Sequence, residues 1–287
     1  MGEVVPIRKV LENMANTMTS CSGDRRYTCP ECGNIVEPVV IEVFGQTRYI
    51  RGTCKCELER QSREELKRKE SERRARIQKL FDLADLGPRF AECTFDAWIP
   101  RPGSEQCFRV ARTYADEFTQ WAERGEGLLF TGQPGSGKSH LAAAIVNALI
   151  PLGKACVFRS VPALLKRIQD TYRPDSRVSE SEILAVLLDA DLLVLDDLGA
   201  ERLVESSPTR TSWAESMIYY IVDQRYCWRK PIIVTTNCDL ETLENRIGAR
   251  TIDRLFEMCV LVENRATSYR KEQAFKRMKT FKIGGDA

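Results

Sequence analysis

Residues 132–139 read Gly-Gln-Pro-Gly-Ser-Gly-Lys-Ser and fit the pattern G-x-x-x-x-G-K-[ST] at every fixed position. Gly132, Gly135 and Gly137 let the backbone turn tightly and approach an oxygen with no side chain in the way. The N–H groups so freed, together with the start of a following helix, make a nest for phosphate oxygens. Lys138 suits the β and γ phosphates of ATP, and the Ser139 hydroxyl suits Mg²⁺. Gln133, Pro134, Ser136 and the adjoining His140 complete the expected phosphate-binding stretch. The flanks agree: 127–131 reads as a buried strand and 141–149 as a helix.

Leu192-Leu-Val-Leu-Asp196-Asp197 is an apolar strand ending in two acids. Asp196, at the strand end, is placed to hold Mg²⁺ directly or through water, and Asp197 to act as general base on an attacking water. Residues 231–237, Pro-Ile-Ile-Val-Thr-Thr-Asn, form another buried strand that ends in a polar amide. A helix over 248–255 carries Arg250 and Arg254 at i and i+4, near one face, and Arg270 follows after a strand over 259–262. A planar guanidinium grips phosphate with two hydrogen bonds, and an arginine supplied by a neighbour can stabilise phosphoryl transfer.

The elements that must position these groups alternate as strands and helices, the mark of a parallel α/β sheet with flanking helices. Two zones precede them. Before residue 57 stand five of the eleven cysteines, among them Cys29-Pro-Glu-Cys32-Gly33 and, later, Cys54-Lys-Cys56. Two strands, 35–44 and 47–50, are expected between the pairs. Knuckle, hairpin and returning pair predict a zinc ribbon with Cys29, Cys32, Cys54 and Cys56 as ligands, Cys21 being the alternative. Zinc is expected to be structural, because so small a zone cannot bury a sufficient core. Residues 57–79 hold nine Lys or Arg against six Glu and predict a charged helix, solvated or facing nucleic acid. The segment 7–18 places Val10, Leu11, Met14 and Met18 at helical spacing, as a short helix or a frayed end. The remaining cysteines, Cys93, Cys107, Cys156, Cys227, Cys238 and Cys259, read as small buried hydrophobes.

Composition narrows the classes. An apolar fraction of 43% supports a true core, and a net charge of +2 leaves nucleic-acid contact to a local patch. The loop 171–177, with Lys166 and Arg167 before it, offers aromatic and basic groups suited to a single strand. No apolar run has membrane-spanning length and no secretory signal is evident, so a cytoplasmic protein without membrane contact is expected.

These motifs, in this order, resemble the AAA+ ATPases of the DnaC/DnaI type, loaders of the replicative helicase, over about residues 89–283. The related IstB-type transposition helpers share the core. The resemblance implies an AAA+ P-loop domain over 86–287, a charged helical linker over 57–85 and a zinc-binding, helicase-docking domain over 1–56. It implies that Asp197 is the catalytic acid and that Thr236 or, preferably, Asn237 orients the lytic water. Arg254, with Arg250 as second choice, resembles the arginine finger that reaches a neighbouring subunit, and Arg270 the sensor arginine acting in its own subunit. The implied partners are a hexameric replicative DNA helicase, single-stranded DNA and further copies of the chain in an open, hexameric spiral, with ATP, Mg²⁺ and Zn²⁺ as cofactors. The alternative is a transposition helper that binds duplex DNA and recruits a transposase; a free-standing nucleotide kinase fits poorly, as no substrate lid is evident.

Overall fold

The structure, a computed structural model, describes residues 26–43, 46–80, 88–200 and 212–283. The expected helix over 7–18 and the alternative ligand Cys21 lie outside these residues. The chain divides into two compact units, Met1–Glu72 and Arg73–Ala287.

In the first unit β1 (Tyr27–Thr28) pairs antiparallel with β2 (Ile35–Val36), and β3 (Val39–Val43) pairs antiparallel with β4 (Gln46–Ile50). The single strand expected over 35–44 is therefore two. Pro38 lacks the N–H that a continuous ladder needs. Gly52 also presses against the break: a Cβ there would stand 2.1 Å from the Glu37 carbonyl oxygen. A small core of Cys29, Val36 and Cys54 lies beneath.

Helix α1 (Lys55–Leu80) runs through the division between the units. Its Glu, Arg, Lys and Gln content favours helix, and most of its side chains are exposed. The last turns depart from a purely solvated helix. Ile77 is buried in the main core of the second unit. Arg73 donates to the Asp191 carboxylate at 2.8 Å and to the Asp189 carbonyl at 2.7 Å, and Arg76 to the Asp189 carboxylate at 2.8 Å.

The second unit is built on a five-stranded sheet. Strands β5 (Gly127–Gly132), β6 (Cys156–Ser160), β7 (Leu192–Asp196), β8 (Ile232–Thr235) and β9 (Cys259–Asn264) are all parallel, in the spatial order β6-β7-β8-β5-β9. Parallel strands joined by crossover helices are covered on both faces, which explains their nearly continuous apolar runs. Successive residues still point to opposite faces. Leu129, Leu193, Leu195, Ile232 and Val234 enter one core cluster; Leu128, Phe130, Leu192, Val194 and Ile233 enter the other. Helices α2 (Pro88–Ala91), α3 (Glu105–Asp116), α4 (Phe118–Arg124) and α5 (Lys138–Leu149) supply the second cluster, and α6 (Val161–Asp170), α7 (Glu180–Asp189), α8 (Trp213–Cys227), α9 (Leu240–Ile247) and α10 (Ala249–Met258) the first. Helix α11 (Tyr269–Ile283) follows β9. The register aligns Phe130 with Thr235 and Leu195 with Val234, so the ends of β5, β7 and β8 gather at the carboxyl edge of the sheet, where ligands of open α/β folds bind.

Cys107, Cys156 and Cys259 are buried as expected, and Cys93 and Cys238 are half-buried. Cys227 departs from expectation: the last residue of α8, it faces solvent. A deeper surprise is Arg225, fully buried on the same helix. Its guanidinium donates to the carbonyls of Leu187 and Pro231, each at 2.6 Å, and twice to that of Ala190 at 3.2 Å, closing the ends of α7 and β8. Burial lowers its pKa to about 9. Arg225→Met should leave those carbonyls unsatisfied and cost about 3–5 kcal/mol in urea unfolding, as loss of a buried charged partner does. A change under about 1 kcal/mol would show that the pocket relaxes around the loss.

Candidate nucleotide site and metal centre

The loop 132–139 leaves β5 and enters α5 at Lys138. Gly132, Gly135 and Gly137 have φ of 136°, 82° and 105°, so all three use the left-handed freedom that glycine brings. At Gly137 the limit is also spatial, since a Cβ would lie 2.6 Å from the Trp98 ring. Lys138 is buried, and its Nζ donates to the carbonyls of Gly132 at 2.7 Å and Gln133 at 2.9 Å and to Asn237 Oδ1 at 2.8 Å. Burial lowers the lysine pKa to about 8, against the pull of Asp197 and Asp196.

Asp196 is buried at the end of β7, and burial raises its pKa; hydrogen bonds from Thr235 and Ser139 oppose the rise. Thr235 Oγ1 donates to Asp196 Oδ1 at 2.6 Å and accepts from the Asp197 N–H at 3.1 Å. Asp197 has φ of 57°, a strained value for a non-glycine residue, which turns its carboxylate toward Asn237. Asn237 Nδ2 donates to Asp197 Oδ1 at 3.0 Å. One amide thus joins the lysine of the loop to the acid of β7. The neighbouring Thr236 is spent on the backbone, its N–H on Phe130 O and its hydroxyl on Leu198 O. Between the two residues that sequence left open, the side chain aimed at Lys138 and Asp197 is that of Asn237.

Lys138, Ser139, His140, Asp196, Asp197, Asn237 and Arg270 all line one cavity of about 420 Å³. Gly135, Gly137 and Pro134 line it too, while Gln133 is exposed beside it and Ser136 buried behind it. His140 Nε2 donates to the Thr94 carbonyl at 2.9 Å, and the ring meets Trp98 edge-on at 5.3 Å; burial lowers its pKa. The lining also takes in the apolar and aromatic side chains of Phe90, Ala97, Trp98 and Ile99, beside Arg89 and Glu92. A cavity that joins a phosphate nest to aromatic rings suits a purine nucleotide. Ser139 and Asp196 are the oxygen donors fit to hold Mg²⁺, a hard cation that takes few protein ligands and substrate phosphates.

Arg254 lies outside that cavity. It donates to Asp223 Oδ1 at 3.1 Å and stacks over Tyr226 at 4.5 Å. Arg250 is exposed one turn earlier.

In the first unit the sulfurs of Cys29, Cys32, Cys54 and Cys56 all lie within 4.8 Å of one another. Neighbouring pairs stand 3.3–3.6 Å apart as free thiols. A tetrahedron with Zn–S bonds of about 2.3 Å has edges of about 3.8 Å, so this donor set fits zinc. The knuckle is preformed by the backbone: Gly33 N–H donates to Cys29 O at 2.9 Å and Cys29 N–H to Asn34 O at 2.8 Å, with Gly33 at φ of 73°. Backbone hydrogen bonds at Cys32 and Glu31 lower the Cys29 pKa to about 7, toward the thiolate a metal needs.

The family model described as "IstB-like ATP binding protein" matches residues 105–277. The chain belongs to the IstB-like ATP binding protein family. Within it, the replicative helicase loader DnaC of Escherichia coli K12 is 32% identical over 188 residues, 65% of this chain and 72% of that protein. The crystal structure of the DnaC helicase loader superposes with a TM-score of 0.54 at 28% identity, over 62% of this chain and 100% of the other. A crystal structure of DnaI superposes with a TM-score of 0.50 at 22% identity, over 63% and 92%, and speaks to the fold alone. By family and fold this is an AAA+ P-loop ATPase.

Several members of this IstB-like site were not singled out from sequence. Phe90 and Trp98 stood in a segment noted only for its family likeness. Thr235 and Tyr269 stood inside recognised motifs without a role of their own, and Arg101 was not singled out, because their partners are remote along the chain. The loop 171–177, whose aromatic and basic groups would suit a single strand or stand in solvent, pairs within the unit: Tyr172 donates to Glu180 and accepts from Trp213 Nε1, and Arg173 meets Asp170 at 3.3 Å. Asn237→Ala should leave ATP affinity within about threefold and slow hydrolysis by about 10²–10³, the usual cost of removing a group that orients charge or water at a reacting centre. A single-turnover assay at saturating ATP reads this directly, and an unchanged rate would remove Asn237 from the reaction.

Proposed function

We propose that this chain is an ATP-dependent loader of the replicative DNA helicase onto single-stranded DNA, with ATP binding and hydrolysis as its switch. The observation that carries the reading is its likeness to a replicative helicase loader, 32% identity over 188 residues, 65% of this chain. The N–H nest of residues 132–139 takes the phosphates, and Lys138 exchanges its present carbonyl partners for phosphate oxygens. Ser139 and Asp196 would hold Mg²⁺, whose charge neutralises the phosphate oxygens. Asp197 accepts the proton of the attacking water, Asn237 orients that water, and Arg270 senses the phosphates from its own chain. Arg254 serves a neighbouring copy in an open, hexameric spiral. To do so it must leave Asp223, so assembly and release of that ion pair are linked.

Residues 1–56 form the domain that docks on the hexameric helicase, with Cys29, Cys32, Cys54 and Cys56 holding a structural zinc. Residues 57–85 are the linker and 86–287 the ATPase domain. Arg254→Ala should spare ATP binding and lower assembly-dependent hydrolysis by about 10³, the lower end for removal of an arginine finger. Turnover at the wild-type rate in that variant would move the finger elsewhere, Arg250 first. The decisive test of the loader reading is native mass spectrometry of the protein with its host's replicative helicase and ATP, beside a variant lacking residues 1–56. A complex lost on deletion supports loading and docking together. Absence of any complex with the full chain would overturn the reading, and duplex DNA with a transposase would then be the partners to examine.

A further inference from the structure

Two P-loop carbonyls, those of Gly135 and Ser136, are held by residues from outside the loop. The Ser136 carbonyl accepts from Arg101 Nη2 and from Asn264 Nδ2, the latter at 3.1 Å, and the Gly135 carbonyl accepts from the Tyr269 N–H at 3.0 Å. A carbonyl turned into the cradle would repel phosphate, so pinning it outward leaves the N–H groups facing inward. Arg101 also reaches further. Its Nη1 donates to the Thr267 carbonyl, three residues before Arg270, so a single guanidinium bridges the loop and the entry to α11.

Everything around Arg101 fixes it. The side chain is 7% exposed and lies between the Trp98 and Tyr269 rings, 5.8 and 5.5 Å from their centroids. Its N–H donates to Ser104 Oγ at 3.1 Å, and the Ser104 hydroxyl donates back to the Arg101 carbonyl at 2.7 Å. The turn behind it is tied to the residue after β9 by the Arg265 N–H on the Gly103 carbonyl at 3.2 Å. Its Nε is buried with no hydrogen-bond partner among the described residues, a cost a purely space-filling side chain would not carry. The planar fork spans two carbonyls in a way an ammonium does not.

We propose that Arg101 is a positioning residue for nucleotide binding, which sets the P-loop carbonyls and the register of α11, and with it Arg270, as one unit. It rests on the reading of the cavity as the ATP site. Arg101 lines the cavity, and the role proposed for it is exerted through Ser136 and the segment that leads to Arg270. A purely structural arginine would change thermal stability and leave the two sites independent.

The test measures affinity of the full chain for a fluorescent ATP analogue in the wild type, Arg101→Met, Arg101→Lys, Arg270→Ala and the Arg101→Met/Arg270→Ala double variant, each shown folded by its melting curve. Arg101→Met should weaken binding roughly tenfold, as loss of a charge-assisted bond does, and Arg101→Lys should recover only part. The double variant should bind about as weakly as the poorer single variant, since coupled sites are non-additive. Unchanged affinity in the folded Arg101→Met protein, or losses that multiply in full, would overturn the proposal. Should the Met variant fail to fold, the Lys variant alone and with Arg270→Ala makes the same comparison. A wild-type chain that does not bind the analogue would overturn the ATP-site reading together with this one, whereas binding lost only by Arg270→Ala would leave that reading intact and remove Arg101.

Discussion

Lys138→Ala should weaken ATP binding by about a hundredfold or more, the largest loss of nucleotide affinity expected in the second unit. The ammonium now sits among the oxygens of Gly132, Gln133 and Asn237, with Ser136 Oγ further off at 3.5 Å, where phosphate oxygens would take their place. An alanine leaves the nest without this buried ammonium and leaves Asn237 Oδ1 without its lysine donor. Equilibrium titration with ATP reads the loss, and affinity unchanged in a folded variant would defeat the site assignment. Charge also sets a pH dependence. Burial lowers the pKa of the free-state lysine to about 8, and phosphate binds its protonated form. Below that pH the group is already charged, so affinity should be flat. Above it binding must take up a proton, and the dissociation constant should rise by up to tenfold per pH unit until the pKa of the bound state is passed. Arginine at 138, which stays charged, should remove that slope even if it binds weakly.

Zinc removal should be the largest effect in the first unit. Its core holds Cys29, Val36 and Cys54, with Tyr27 and Cys56 packed against them, and its two sheets have two strands each. A lone two-stranded hairpin is marginal in water, so the metal must supply what the core does not. Structural zinc contributes about 10–16 kcal/mol at neutral pH in small zinc domains, more than such a unit stands to lose. Chelation, or Cys54→Ser, should therefore unfold residues 26–56 and expose them to proteolysis, while the second unit keeps its ATP affinity within about twofold. Metal analysis should give one zinc per chain before chelation and none after. Because the ligands bind as thiolates, acid should release the metal, protons competing as pH falls. Protease resistance that survives complete metal loss would show that the hairpins stand without it.

The strands of the sheet were readable because each is a short apolar run bounded by turn residues, and burial on both faces preserves that run. The break at Pro38 was readable in principle, yet the apolar run across 35–44 masked it; the close approach of Gly52 to Glu37, fifteen positions apart, was not. Ile77 reads as an isolated apolar residue in a charged helix, and nothing local says that it is buried. Cys227 reads like the other cysteines, and only the facing of α8 puts it in solvent.

By itself the sequence determined the parts whose chemistry is contiguous. Glycine spacing, the lysine and serine of the loop, the acids closing β7 and the paired cysteines each act through neighbouring backbone, so their order in the chain carries their meaning. Tertiary structure alone decided the convergence. Asn237 reaches Lys138 across 99 positions, Asn264 reaches Ser136 across 128, and Arg101 reaches Thr267 across 166. It also held Arg254 against Asp223 and away from its own cavity. Contacts at such separations depend on strand order and register, which local propensity does not encode, and so they emerge only once the sheet is assembled.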